Sequence, residues 1–175
     1  MGRRTPSYHN VCEADRLQSC ICHTETGEKR LVGWPIDTVC ASGQLATLFS
    51  YGRLEELMPG YGYVVGDDEG PDMKEWKRCG YPKLNSDGHH HFIDDDTFVV
   101  DTYPDKYRHC KLWKVNVKTD EVTLLADVKS LKQFVNPDDD HNWKCDLHPR
   151  VSADGTLVSF DSTHTDKRSL CVMKI

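Results

Sequence analysis

Residues 148–162 read HPRVSADGTLVSFDS, which is a short apolar run, a polar turn and a second run where apolar and polar residues alternate. The turn is Asp154-Gly155, and an Asp-Gly pair between two such runs is a strong signal for a β-hairpin. Alternation gives each strand one face for the core and one for water. The stretch therefore predicts an antiparallel hairpin.

The same pattern occurs twice earlier in the chain. Residues 89–102 read HHHFIDDDTFVVDT, with Asp95-Asp96 in place of the Asp-Gly turn. Residues 36–50 read IDTVCASGQLATLFS, with Ser42-Gly43 at the turn. A structural unit that recurs along the sequence is typical of repeat architectures.

A second hairpin pattern accompanies the first. Residues 112–125 contain an alternating strand, a Thr-Asp-Glu turn and another strand, and residues 20–32 repeat this with a Thr-Gly-Glu turn. Two hairpins joined by an irregular loop give four strands, the composition of a β-propeller blade. We therefore expect an all-β fold of four-stranded antiparallel blades, arranged as an incomplete or open propeller.

The repeats also suggest the organisation of the chain. We expect a single propeller-like domain over residues 1–175, with units at roughly 8–35, 36–80, 87–130 and 145–175. Helical patterns are few, and only residues 51–58 and 128–134 predict short helices.

Charge and hydrophobicity narrow the classes of partner. The chain has 175 residues and a net charge of −6, with basic residues scattered among acidic ones, so no nucleic-acid partner is expected. No run approaches the roughly 18 apolar residues of a membrane helix, and the N-terminal residues lack the apolar run of a signal peptide. We therefore expect a cytoplasmic protein with no membrane partner.

The cysteine content is high, with eight residues at irregular spacing and no Cys-x-x-Cys pair. A zinc ribbon requires paired knuckles, so this pattern argues against one. Reduced thiols that pack mostly as small buried apolar groups are the favoured interpretation, and disulfides remain open.

The run from Asp146 to Arg150, continued by Phe160-Asp161-Ser162-Thr163-His164, resembles the last blade of bacterial propeller proteins related to oligogalacturonate lyases. Residues 101–105 and 53–63 also resemble members of that group. Those members are longer, and between Trp76 and Asp87 this chain passes over blades that they retain. A shortened propeller leaves strand edges unpaired, so we expect another protein chain to cover them.

Two histidines are the leading candidates for a site. His89 and His148 occupy the same position in two repeats, three residues before the core residues Phe92 and Val151. In a propeller this position lies at the mouth of the central channel, so the two side chains would converge. Their alternative role is structural, since a histidine there can hydrogen-bond the next blade and fix its register.

The resemblance implies that these histidines bind a divalent metal, with Mn, Ca or Zn as candidates. His91 lies on the same side of its strand as His89 and adds coordinating capacity, whereas His90 points away. Where the lyase pattern has a further histidine and a glutamine, this chain has Asp146 and Trp143. A carboxylate can bind a metal and an indole cannot, so the implied ligands are His89, His148, His91 and Asp146.

β-Elimination from a uronic-acid sugar, the activity that the resemblance implies, also requires a base. Arg150 and Lys144 are the candidates, and either would need a depressed pKa. An ion pair with Asp161 is the favoured role for Arg150. Asp101 and Asp161 end matching strands, where capping of the loops between blades is the expected role.

Three functions remain open at this level. The chain is a carbohydrate-associated propeller protein with a lyase-like metal site that takes acidic oligosaccharides, a non-enzymatic binding or scaffold module, or an inactive truncated relic. The first requires a third metal ligand, and the other two do not.

Overall fold

A computed structural model of the chain describes residues 7–48, 51–57, 59–60, 62–63, 79–84, 88–134 and 145–175. This part of the chain forms twelve strands and one short α-helix. The elements are β1 Ser7–Glu13, β2 Arg16–Cys22, β3 Lys29–Val32, β4 Thr38–Val39, β5 Ala46–Thr47, α1 Tyr51–Leu57, β6 His90–Phe92, β7 Thr97–Asp101, β8 His109–Asn116, β9 Val122–Lys129, β10 Arg150–Val151, β11 Leu157–Ser162 and β12 Ser169–Lys174.

The strands pair into small antiparallel sheets, none of which closes on itself within the described residues. The sheet orders are β1-β2-β3, β4-β5, β6-β7-β8-β9 and β10-β11-β12. The prediction of an all-β fold is thus confirmed, whereas the arrangement as propeller blades stays a prediction. No helix among the described residues has the length and apolar composition needed to cross a membrane.

By its internal contacts the chain divides into two compact units, Met1–Lys77 and Arg78–Ile175. The first unit contains the β1–β3 sheet, the β4-β5 hairpin and α1. A polar cluster fixes the segment after β3 on this sheet: the fully buried Ser19 donates to Asn10 Oδ1 at 2.5 Å and accepts from the Ile36 amide at 2.8 Å. Buried polar groups need such partners, so the cluster specifies how this segment packs.

The second unit contains the four-stranded and the last three-stranded sheet, and its core holds apolar residues from both. The core residues are Val99, Cys110, Leu112, Leu147, Val158 and Phe160. Cys110 and Leu112 lie two residues apart in β8, and Val158 and Phe160 lie two residues apart in β11, as expected for strands with one buried face.

All three repeated hairpins form. The turns around Ser42-Gly43, Asp95-Asp96 and Asp154-Gly155 join β4 to β5, β6 to β7 and β10 to β11. The glycine in the first and last turn has a positive φ, +73° in each case, which explains the preference for glycine there. The second hairpin pattern also forms, as β2-β3 and β8-β9.

One of the two helix predictions holds. Residues 51–57 are helical, and residue 58 lies outside the described part. The predicted helix over 128–134 is wrong: β9 continues to Lys129, and only Lys132–Phe134 form a 3-10 turn. Extended pairing of Val128 with Cys110 brings its side chain to the core, which outweighs the weak local helical preference.

All eight cysteines are free thiols, of which Cys20, Cys40 and Cys110 are buried. Cys12 is exposed and the other four are half-buried. Burial raises the pKa of the Cys110 thiol to about 12, so this cysteine stays protonated and packs as an apolar group.

Candidate functional site

The candidate site is centred on the carboxylate of Asp101, the last residue of β7, which is 1% exposed. Oδ1 accepts hydrogen bonds from the His89 amide at 2.6 Å, and Oδ2 accepts from the His148 amide at 2.9 Å. His89 Nδ1 lies 3.2 Å from both oxygens. One buried side chain thereby joins the segments that precede β6 and β10.

The backbone on each side fits closely around this carboxylate. Gly88 packs against the Asp101 backbone, and a Cβ at residue 88 would collide with the Asp101 carbonyl oxygen. On the other side, His148 has a positive φ of 44° between the buried residues Leu147 and Pro149. The Leu147 carbonyl accepts from the Asp161 amide at 2.8 Å, which holds this segment against β11.

The two histidine rings are in contact above the carboxylate. Their centroids are 3.8 Å apart with a tilt of 45°. His148 is exposed, and the His89 side chain is 31% exposed with Tyr103 at its edge, 6.1 Å between centroids. The two histidine side chains therefore meet, as predicted.

The electrostatics of the cluster favour an ionised carboxylate. Burial by itself raises the pKa of Asp101, but the hydrogen bonds from the His89 side chain and from the two amides outweigh it and hold the pKa below its ordinary value. An ionised carboxylate only accepts, so His89 Nδ1 must carry the proton that it donates. This assigns the lone pair of a neutral His89 ring to Nε2, the tautomer in which Nε2 can act as a base or a metal ligand.

His91 hydrogen-bonds the β10 segment, and its predicted part in a metal site stays a prediction. Its Nδ1 accepts the Val151 amide at 2.7 Å and so connects β6 to β10. Burial and then the charge of Arg150 lower the pKa of His91, in keeping with a neutral ring that accepts this bond. One ring nitrogen of His91 is thus engaged in joining the two sheets.

The other predicted residues lie around this centre in different surroundings. The exposed Arg150 donates from its guanidinium to the Pro149 carbonyl at 2.9 Å. Among the described residues it forms no ion pair with Asp161, so that expectation is wrong: Arg150 pairs across the hairpin with Ser159, two residues before Asp161. Lys144 and Trp143 lie outside the described residues.

Asp146 is half-buried, and its negative charge affects the pKa values of two cysteine thiols. Burial comes first among the causes that raise the pKa values of Cys110 and Cys145, and the negative charge of Asp146 adds to both. Within the described part of the chain, no three His, Cys, Asp or Glu side chains form a group that could hold a metal ion. The centre therefore consists of two histidine rings in contact, with the Asp101 carboxylate hydrogen-bonded to His89.

Comparison of the chain with protein-family models, with curated proteins and with solved structures gives no match.

Asp101 has a contact that the sequence analysis did not predict. Its predicted role as a loop cap is confirmed by the two amide hydrogen bonds, but its contact with a histidine side chain was not foreseen. The register of the β6-β7 hairpin indicates this contact. The pairs His91–Val99 and His90–Val100, extended by one residue, place His89 opposite Asp101.

Proposed function

We propose that this chain is a propeller-related, carbohydrate-associated protein that binds acidic oligosaccharides through a divalent metal held at His89 and His148. The observation that carries the proposal is the pair of touching imidazoles, one of them fixed by a buried carboxylate. Neighbouring histidines backed by a carboxylate are a recurrent arrangement in metal sites, because the carboxylate orients the ring and raises its basicity.

The donor set fits a divalent cation in kind, but two side chains supply it, and the third ligand that a lyase-like site requires is not among the described residues. When bound, such a cation supplies charge that neutralises the carboxylate of a uronic acid and acidifies the neighbouring C–H bond. The residues of the chain have distinct parts in this scheme. Asp101 orients the His89 ring and keeps its Nδ1 proton in place, and the left-handed backbone at His148 presents the second ring beside the first.

The site supports binding more directly than cleavage. A lyase also needs a base near the sugar, and the Arg150 guanidinium is occupied with the Pro149 carbonyl. Cleavage of uronic-acid chains is supported by the resemblance to oligogalacturonate lyases alone. We therefore place recognition of an acidic sugar first and β-elimination as an extension of it.

A scaffold or binding module without a metal is the second candidate, and a specific observation favours it. The hydrogen bonds of Asp101 tie the segments before β6 and β10 to the end of β7, and the hydrogen bond of His91 joins β6 to β10. A cluster with that purpose alone would need no ligand, since buried polar networks also specify how sheets pack.

The deciding experiment measures metal content and sugar binding in three proteins: wild type, the double variant His89→Ala/His148→Ala, and the control His109→Ala. His109 is partly exposed and paired with Asp127 at 2.6 Å, so its removal changes a histidine–carboxylate pair away from the centre. Each protein is loaded with Mn, Zn or Ca, dialysed and assayed by mass spectrometry. Binding of a galacturonate trimer is then measured by calorimetry with and without chelator.

We expect stoichiometric metal and chelator-sensitive sugar binding in the wild type and the control, and neither in the double variant. A wild-type protein that retains no metal and binds no acidic sugar would refute the proposal and leave the scaffold role. Circular dichroism of the double variant separates loss of the site from loss of the fold.

A further inference from the structure

The last sheet of the second unit has an open edge at β12. No other described strand pairs with β12 on the side away from β11. In the four-stranded sheet the corresponding third strand, β8, is covered by β9, which runs antiparallel to it over its whole length. The two sheets thus differ by one antiparallel strand.

The two outer strands have different edges. β9 is interrupted by a bulge between its pairings with Leu112 and Trp113, and it carries Asp127 and Lys129 along its exposed part. Bulges and charges are the devices by which natural edge strands avoid further pairing. β12 has neither, because its register with β11 is continuous and its only charge is Lys174 at the end. β12 therefore has the character of an inner strand.

The outward face of this sheet is apolar where the edge is open. Leu170 is 71% exposed, Val172 60% and Leu157 41%. The pairings Leu157–Lys174, Ser159–Val172 and Asp161–Leu170 put these side chains on one face. Exposed apolar side chains that are contiguous, rather than scattered, mark interaction surfaces.

We propose that β12 pairs antiparallel with β12 of a second copy of this chain, with Val172 opposite Val172 across the two-fold axis. The pairing adds a strand to the open edge of the described three-stranded sheet and forms one continuous six-stranded sheet. Addition of a strand to an open edge satisfies its backbone hydrogen-bonding groups, and a two-fold axis makes the contact self-complementary.

Charge selects this register over its neighbours. With Val172 on the axis, Leu170 lies opposite Lys174 of the second copy, and Lys174 can reach toward Asp161 one strand further. If the register shifts by two residues in one direction, Lys174 of each copy lies opposite Arg168 of the other. If it shifts by two residues in the other direction, the Lys174 side chains of the two copies come closer together. Like charges in directly opposed positions destabilise a sheet. Shifts by one residue set the apolar outward face against the inward face of the second copy.

The test compares Val172→Lys with Leu124→Lys in sedimentation equilibrium and light scattering over a wide concentration range. Leu124 is 46% exposed on β9, so it is the matched position on the edge that we expect to stay unpaired. The wild type and Leu124→Lys should dimerise alike. Val172→Lys places two ammonium groups opposite each other and should weaken dimerisation by at least about tenfold.

A charge exchange tests the register by a second route. Asp161→Lys and Lys174→Asp should each weaken the dimer, and the double variant should recover most of the loss, because it restores opposite charges. Circular dichroism confirms that each variant keeps its β structure, which exposed positions allow.

Three results would overturn the inference. They are a wild type that stays monomeric at all concentrations, a dimer that tolerates Val172→Lys, and a dimer that Leu124→Lys disrupts instead. A monomer whose β12 amides are protected from hydrogen exchange would show that another segment of the chain covers the edge. The inference stands or falls independently of the histidine pair.

Discussion

Asp101 joins two strand segments and a histidine through one buried carboxylate. All of its described hydrogen bonds come from N–H groups, two of them backbone amides. An acceptor that serves several buried donors costs more to lose than one that serves a single exposed donor, because each orphaned donor must be desolvated without a partner. We therefore expect substitution of Asp101 to destabilise the second unit strongly.

We predict that Asp101→Asn lowers the free energy of unfolding by about 3 kcal/mol at neutral pH, because an amide NH₂ replaces an accepting oxygen beside N–H donors. The folded pKa of Asp101 lies below its ordinary value. Its contribution is therefore fully present above about pH 4 and is lost as the pH falls through the folded pKa. Urea unfolding between pH 2 and 7 should show a shallower acid loss in the variant than in the wild type.

Asp166→Asn is the matched control for this prediction. Asp166 is exposed in a turn with a φ of +62°, a conformation that asparagine also adopts readily. This variant should follow the wild type within about 0.5 kcal/mol across the pH range. Equal acid profiles for Asp101→Asn and the wild type would show that the carboxylate does not stabilise the fold by its charge.

At the scale of the elements, β6 and β10 are short strands that a side-chain hydrogen bond joins, rather than a row of backbone hydrogen bonds. β6 has three residues and β10 has two. The hydrogen bond from the Val151 amide to His91 Nδ1 is therefore a direct polar link between the two strands. A link of this kind depends on the protonation state of the ring, since an imidazolium cannot accept.

We predict that His91→Phe lowers the free energy of unfolding by about 1–3 kcal/mol at pH 8, because the Val151 amide loses its acceptor. The folded pKa of His91 lies below 6.5. Its stabilising contribution is present above pH 6.5 and is lost as the pH falls through the folded pKa. The gap between variant and wild type in urea unfolding should therefore shrink below pH 6.5.

The same substitution one residue earlier, His90→Phe, provides the comparison. His90 packs edge-on against Phe98 with ring centroids 5.5 Å apart, and phenylalanine can keep that contact. We expect a smaller effect that leaves the His91 part of the pH dependence in place. If both variants lose the same free energy of unfolding with the same pH dependence, the hydrogen bond from the Val151 amide does not account for the effect of His91→Phe.

At the scale of the molecule, the core of the second unit is complete within that unit. Its six buried core residues and the partly buried residues packed on them all lie between residues 93 and 175. The division of contacts places the boundary between Lys77 and Arg78. A unit with its own core meets the physical requirement for folding alone.

We predict that a chain of residues 78–175 folds without the first unit, because none of its core residues is lost. It should show β-type circular dichroism and a cooperative thermal transition. Amide spectra of this piece should overlay those of the same residues in the full chain. A piece that melts without cooperativity would show that the first unit completes its core.

The residue pattern determined the local structure of this protein. Hairpin turns at Ser42-Gly43, Asp95-Asp96 and Asp154-Gly155, and alternating strands beside them, follow from backbone sterics and from the two-residue period of a strand. The register of β6 on β7 even carried the pairing of His89 with Asp101. These are short-range properties, and one stretch of chain contains all the information that they need.

The tertiary structure decided what the local pattern left open. The end of β9 became a strand because Cys110 offered a partner for Val128, and His91 turned to the Val151 amide because β10 lies beside β6. The contact of His89 with His148 joins residues 59 positions apart through Asp101. Such contacts depend on which surfaces meet in space. The alternation of residues along a strand does not specify which element packs on its exposed face or pairs with its open edge.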